Sequence, residues 1–251
     1  MRSARGESLR FCNGMKVFSI GDLHLSGGMD KPMDVFGESW RDHAARIFDA
    51  WRERVGRDDC VLMPGDFCWA MQLRDALPEL QGIAELPGKK ALVRGNHDYW
   101  WSSPTRMREL VDKSITFIQN DAADMGEFIV CGTRGWSLPG AADFGANDEK
   151  IYARELIRLE MSLAAARRLS EAPDCGGKPV IAMLHFPPLL ENGAASGFTD
   201  IIEAWPVHEV VYGHLHGASC RLAFEGVKNG VRYTLCSADH IGFAPKLIAE
   251  L

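Results

Sequence analysis

Seven residues of this chain carry donor atoms that suit a metal centre, and each stands just past a short hydrophobic run. Asp22 and His24 belong to Gly21-Asp22-Leu23-His24, Asp66 to Gly65-Asp66, and Asn96 to Gly95-Asn96-His97-Asp98. His185 stands by itself, while His214 and His216 share Gly213-His214-Leu215-His216. Carboxylate, imidazole and amide oxygen without thiolate suit Mn, Fe, Zn, Ni or Co better than Ca or a Cys-rich structural zinc site. Two such divalent metal ions, roughly 3.5–4 Å apart, can share a carboxylate, clamp a phosphate and draw the pKa of a water from about 15.7 towards 7. Metal-bound hydroxide would then attack phosphorus directly, with no need for a Ser or Cys nucleophile. His97 remains to protonate the leaving alcohol, and Asp98 beside it to orient that imidazole and stabilise its charged form. The implied chemistry is hydrolysis of a phosphomonoester or phosphodiester.

These residues can converge only if the strands before them lie side by side. Strand-like runs recur at 15–20, 60–63, 90–93, 115–118, 127–131, 179–184, 208–212 and 231–236. Several are continuously apolar, as in strands buried on both faces. Helical spacing of Trp40, Ala44, Ile47, Phe48, Trp51 and Val55 predicts a helix over 40–55, with Trp40 and Trp51 on its core face. Further helices are predicted at 71–86, at 104–112 behind Ser103-Pro104, and at 148–170. Strand–helix alternation in the first half predicts parallel βαβ units, whereas the closer strands of the second half suggest a more antiparallel sheet. In open α/β sheets ligands bind beyond the carboxyl ends of strands, where all seven donors fall. Residues 137–147 and 188–199, rich in small and polar side chains, read as loops beside the site. Residues 1–14 lack periodicity and are expected to be a flexible extension, with 15–251 a single domain.

Composition narrows the partners. The chain has 251 residues, 46% hydrophobic and 25% charged, with net charge −6. A nucleic acid duplex or an anionic membrane would need a local basic patch, and none stands out. No apolar stretch reaches the roughly 18–20 residues of a membrane span, and the N-terminus does not read as a secretory signal. Seven Cys without CxxC pairs suggest reduced thiols and a cytoplasmic protein. Cys60, Cys131 and Cys236 read as small buried hydrophobes.

The ordered motifs Asp-x-His, Gly-Asp, Gly-Asn-His-Asp, a single His and Gly-His-x-His, spanning residues 21–216, resemble the calcineurin-like metallophosphoesterase superfamily. Within it the chain looks most like a bacterial branch of predicted phosphohydrolases. The resemblance implies an α/β fold of two mixed sheets packed as a sandwich between helices. It implies that Asp22, His24 and His216 hold one metal, that Asn96, His185 and His214 hold the other, and that Asp66 bridges them. His97 would contact the scissile phosphate. Many relatives follow Gly-Asp with a spaced Asp-Arg, but this chain has Gly65-Asp66-Phe67-Cys68-Trp69-Ala70-Met71. An apolar wall there argues against a protein phosphatase and requires another cation. Arg134 is the candidate, Arg94 a weaker one. Trp69 and Trp136, with Tyr99, Trp100 and Trp101, are candidates to line a pocket for a small phosphorylated substrate.

Plainer readings weigh against single residues. An isolated Asp22, Asp66 or Asp98 is most often a turn or cap residue, and an isolated arginine most often an ion-pair partner. His43 reads as a solvated helix position, His208 as a strand-edge residue and His240 as a hydrogen-bonded structural one. The rival to an enzyme is a non-catalytic scaffold of the same fold that binds proteins. Retention of His97, which no metal needs, favours catalysis.

Overall fold

The computed structural model describes residues 14–141, 144–173, 176–191 and 193–251. The expected extension over 1–14 lies, Gly14 apart, outside them. The first sheet is built from β1 (Lys16–Ser19), β2 (Cys60–Met63), β3 (Lys89–Leu92) and β4 (Ile115–Phe117). These four run parallel, and β11 (Lys246–Glu250) closes the edge antiparallel to β1. Their crossovers carry α1 (His43–Arg54), α2 (Leu73–Ala84) and α3 (Pro104–Leu110). As expected from the sequence, Ser103 caps α3 by accepting the Arg106 N–H, with Pro104 in the first turn. The predicted 40–55 helix begins later: Trp40 is buried in a 3-10 turn ahead of α1, and Trp51 is buried within it.

The second sheet has the order β5 (Ala122–Asp124), β6 (Ile129–Thr133), β7 (Val180–Leu184), β8 (Val207–Tyr212), β10 (Val231–Leu235), β9 (Gly226–Lys228). The second sheet is the more antiparallel of the two, as expected, but only at its rims. The three inner pairings, β6 with β7, β7 with β8 and β8 with β10, are parallel, and only the two rims are antiparallel. Parallel neighbours need crossovers, and these exist: α4 (Ala146–Ser170) joins β6 to β7 and α5 (Gly197–Glu203) joins β7 to β8. Helix α5 falls partly in the stretch read as a loop, because seven residues are too few for periodicity to show.

Side-chain alternation builds three apolar layers. Val17, Cys60 and Leu62 of the first sheet meet Val130, Ile181, Met183 and Val211 of the second in a core between the sheets. Phe18, Val61 and Met63 point the other way, onto α1 and α2. Cys131, Ala182 and Val210 likewise pack against Leu159, Leu163 and Phe198 of α4 and α5. Strands buried on both faces explain the continuous apolar runs. The result is an α/β/β/α sandwich with every donor-bearing loop at one end. Among the described residues, no helix is long and apolar enough to cross a membrane.

Candidate metal centre

The loops after β1 and β2 continue to pair beyond the sheet. Asp22 N–H donates to Gly65 O, His24 N–H to Asp66 O, and Leu25 N–H to Phe67 O. This places Asp22 and Asp66, both buried, in one cleft. Gly95 lets the third loop nest: a Cβ there would collide with the backbone and carboxylate of Asp66. Gly213 does the same for the β8 loop, since a Cβ would strike the Asp22 carboxylate. Four candidate ligands hold left-handed backbone, with φ of 54° at Asp22, 45° at His24, 51° at Asp66 and 74° at His214. Such conformations cost of order 1–3 kcal/mol each and cluster at functional sites.

All seven candidates converge. One group is Asp22, His24 and His216, and another is Asp22, Asp66 and His185; in each, the ligand atoms lie within 4.8 Å of one another. His24 Nε2 is 3.3 Å from His216 Nε2 and 3.8 Å from Asp66 Oδ2. His185 Nε2 lies 3.5 Å from Asp66 Oδ2, 3.3 Å from His214 Nδ1 and 2.6 Å from Asn96 Oδ1. Asn96 Oδ1 is also 3.0 Å from His214 Nδ1. The backbone N–H of His214 donates to Asp22 at 2.9 Å, and that of His97 to Asp66 at 2.8 Å.

Hydrogen bonds outside the cluster fix which nitrogens face inward. His185 Nδ1 sits 3.0 Å from Pro64 O, which can only accept, so the proton is on Nδ1 and Nε2 presents a lone pair. Burial lowers the pKa of His185, which keeps the ring neutral. A lone pair of Nε2 therefore confronts the Asn96 carbonyl oxygen at 2.6 Å. His216 Nδ1 lies 2.9 Å from Asp239 Oδ1, which turns its Nε2 towards Asp22 and His24. Asp239 was not singled out from the sequence, although it too follows a strand end.

The electrostatics agree with a cation site. Burial and the neighbouring Asp22 push Asp66 up to about 8. Burial also acts on Asp22, but the hydrogen bond from His216 and the charges of the surrounding histidines hold it below the usual carboxylate range. Burial opposes charge on His216, yet Asp22 and Asp239 raise it to about 10. Burial and His185 lower His214 to about 3. Two buried carboxylates, imidazole lone pairs and an amide oxygen, with no Lys or Arg among them, form a donor set that fits divalent metals.

His97 is half-buried beside this cluster, its ring 5.9 Å from that of His24 and 4.7 Å from that of Trp69. Trp69 also stacks on His24 at 4.7 Å. Lys31 Nζ lies 3.1 Å above the Trp69 ring; burial, then His185 and then the Lys31 charge lower the pKa of His97. The structure thus brings a cation to His97 that the sequence did not mark.

Three expectations need correcting. Asp98 does not reach the His97 ring. It is fully buried, and its oxygens accept the N–H groups of Phe67, Cys68 and Gly95 and the Trp100 indole. It staples the loops after β2 and β3, and burial and Asp66 raise its pKa to about 6. Arg134 turns away from the metal-side cavity: it stacks on Trp136 at 4.4 Å and lies 3.4 Å from Glu155. With Arg94, Arg158 and Glu155 it lines a separate crevice of about 70 Å³. His43, expected to be solvated, meets the His24 carbonyl at 3.2 Å and so braces that loop. Among the aromatics, Trp100 is buried against Phe67 and Phe117, whereas Trp136 lines a cavity with His214. His240 pairs with Glu225 at 2.9 Å, the structural role expected of it.

A sandwich of two mixed sheets with these Asp and His clusters past its strand ends is the architecture of metal-dependent phosphoester hydrolases. The chain belongs to the calcineurin-like phosphoesterase family, whose model matches residues 15–218. The gene 66 protein of Mycobacterium phage L5 is 33% identical over 79 residues, 31% of this chain; the match covers 37% of the phage protein. Among solved structures, a phosphopantetheinyl hydrolase of Mycobacterium tuberculosis aligns over 94% of this chain and 96% of its own, with a TM-score of 0.52 and 15% identity. A protein of Aquifex aeolicus aligns over 93% and 95%, with a TM-score of 0.48 and 13% identity. The likeness to the Mycobacterium tuberculosis protein is one of fold.

Proposed function

We propose that this chain is a dinuclear metallohydrolase that cleaves a phosphomonoester or phosphodiester of a small molecule. The observation that carries the reading is the approach of His185 Nε2 to Asn96 Oδ1 at 2.6 Å, two electron-pair donors with no proton to share. A divalent cation would be met by both atoms and by Asp66 Oδ2, 3.5 Å from the same nitrogen. Asp22, His24 and His216 would hold one metal and Asn96, His185 and His214 the other, with Asp66 between them. When bound, the metals polarise the phosphoryl oxygens and make water a strong nucleophile at neutral pH.

The protein's own groups do the rest. His185 and His216 are oriented by Pro64 and Asp239, which fix the inward nitrogens. His97, at the open side of the cluster, protonates the leaving oxygen. Burial and Lys31 disfavour its charged form, and the negative charge of a bound phosphate offsets that effect. Lys31, rather than Arg134, is the cation that meets the phosphate. Trp69 contacts both Lys31 and His24.

The test uses chelator-stripped protein with Mn, Zn, Ni, Co, Fe or Mg restored, assayed on p-nitrophenyl phosphate and bis(p-nitrophenyl) phosphate. Metal-restored turnover that Asp66→Asn lacks is the expected result, and the preferred ester separates monoesterase from diesterase. Turnover that survives Asp66→Asn unchanged would overturn the reading.

A further inference from the structure

A cavity of about 670 Å³ opens beside the metal centre, and His214 forms part of its wall. Its size falls in the range that encloses a drug-sized organic group, roughly 300–1,000 Å³. The Phe186 ring lies against that of His214, centroids 4.0 Å apart, and Trp136 packs on Phe186 at 5.1 Å. The apolar wall is therefore continuous with a candidate metal ligand. Leu138, Leu190, Leu215 and Leu222 complete much of the lining, and Leu222 keeps 42% of its surface exposed. Besides His214, the polar lining residues are Ser137 and Glu191, and the described lining contains no Lys or Arg. Arg94, Arg134 and Arg158 line the separate crevice around Glu155.

From this arrangement we infer that the cavity binds the organic part of the substrate, and that this part is apolar and uncharged: an alkyl or aromatic group esterified to the phosphate at the metals. The inference rests on the phosphoester reading above and narrows its substrate class. A second phosphate, as in a nucleoside diphosphate, would meet Glu191 and no compensating cation. Leu222 at the rim and Trp136 at the inner wall offer contact along the length of a chain. Each methylene removed from water is worth about 0.8 kcal/mol, so affinity should rise about fourfold per carbon until the cavity is filled.

The decisive experiment is calorimetric titration of the Mn-loaded protein with methyl-, propyl-, butyl- and hexylphosphonate, which cannot be hydrolysed. The expected result is affinity rising about fourfold per methylene. Leu222→Glu should flatten that slope, and Leu110→Glu, on an exposed position of α3, should leave it unchanged. Affinity independent of chain length, or methylenediphosphonate binding more tightly than hexylphosphonate, would overturn the inference. Turnover of the corresponding alkyl p-nitrophenyl phosphates separates the two readings. Chain-length-dependent binding without turnover would uphold the cavity assignment and sink the hydrolase. Turnover without chain-length dependence would do the reverse.

Discussion

Two buried polar clusters lie in this molecule, and they are built on opposite plans. Around Glu155, a single fully buried carboxylate receives Thr133 Oγ1 at 2.7 Å, Arg158 at 2.6 Å and Arg134 at 3.4 Å. It contains its own counterions. Around Asp22 and Asp66, two buried carboxylates face imidazole lone pairs and an amide oxygen, with no Lys or Arg in the group. The first cluster carries its own arginine counterions; the second gathers carboxylates and imidazoles that could hold a metal. That difference separates a structural ion network from a candidate ligand site, although both contain buried acids.

The comparison can be broken by exchanging the losses. Asp66→Asn should lower metal content and reduce turnover roughly a thousandfold, the several kcal/mol that a metal supplies to phosphoryl chemistry. Elemental analysis and steady-state rates read both effects. Glu155→Ala should leave metal content unchanged and instead cost about 3–5 kcal/mol of stability, because Arg134 and Arg158 lose their buried partner. Urea unfolding of the metal-loaded protein measures it. If Glu155→Ala loses metal while keeping its stability, the two clusters are not of different kinds.

Within the metal centre, finer substitutions sharpen the contrast. His97→Ala should retain metal and lose about 10²–10⁴ in turnover of alkyl phosphates, with a smaller loss on p-nitrophenyl esters, whose leaving group needs no proton. Equal losses on both would remove the acid role. Asp239→Asn should weaken metal binding about 10–100-fold by releasing His216, measured by competition with a chelating indicator. The smallest effect is expected for Lys31→Ala. An exposed cation of this kind is worth about 0.5–1 kcal/mol, so kcat/KM should fall roughly two- to fivefold, with metal content unaltered.

Much of this was legible in the chain itself, for a physical reason. Strands buried on both faces leave continuous apolar runs, and the donors stand immediately after them, so both the sheets and the residues at their ends could be read together. Directions of side chains were not legible. Asp98 follows His97 by one residue yet turns into the protein, where the Phe67 and Gly95 amides take its oxygens. Arg134 follows β6 as the ligands follow their strands, but its guanidinium goes to Glu155 on α4, a partner 21 residues away. Lys31 sits in an irregular loop, and its approach to Trp69 has no periodic signature. Asp239 carries the signal that marks the others, an acid just past a strand. The parallel order of the second sheet was hidden by α5, a crossover helix of seven residues.

The bonds that close the metal centre span most of the polypeptide. Asp22 accepts the His214 N–H across 192 positions, and His185 stands against Asn96 across 89. Beyond them, Gly21 bridges to Ser237. During synthesis the first aspartate must therefore wait for nearly the whole chain before its partners exist, and no early fragment holds more than part of the ligand set. Metal choice then falls to the finished fold rather than the nascent chain. Under the proposed metal-dependent reading, the ion taken up would depend on the supply where folding ends, and protein isolated from a host with a different metal balance should carry different ions.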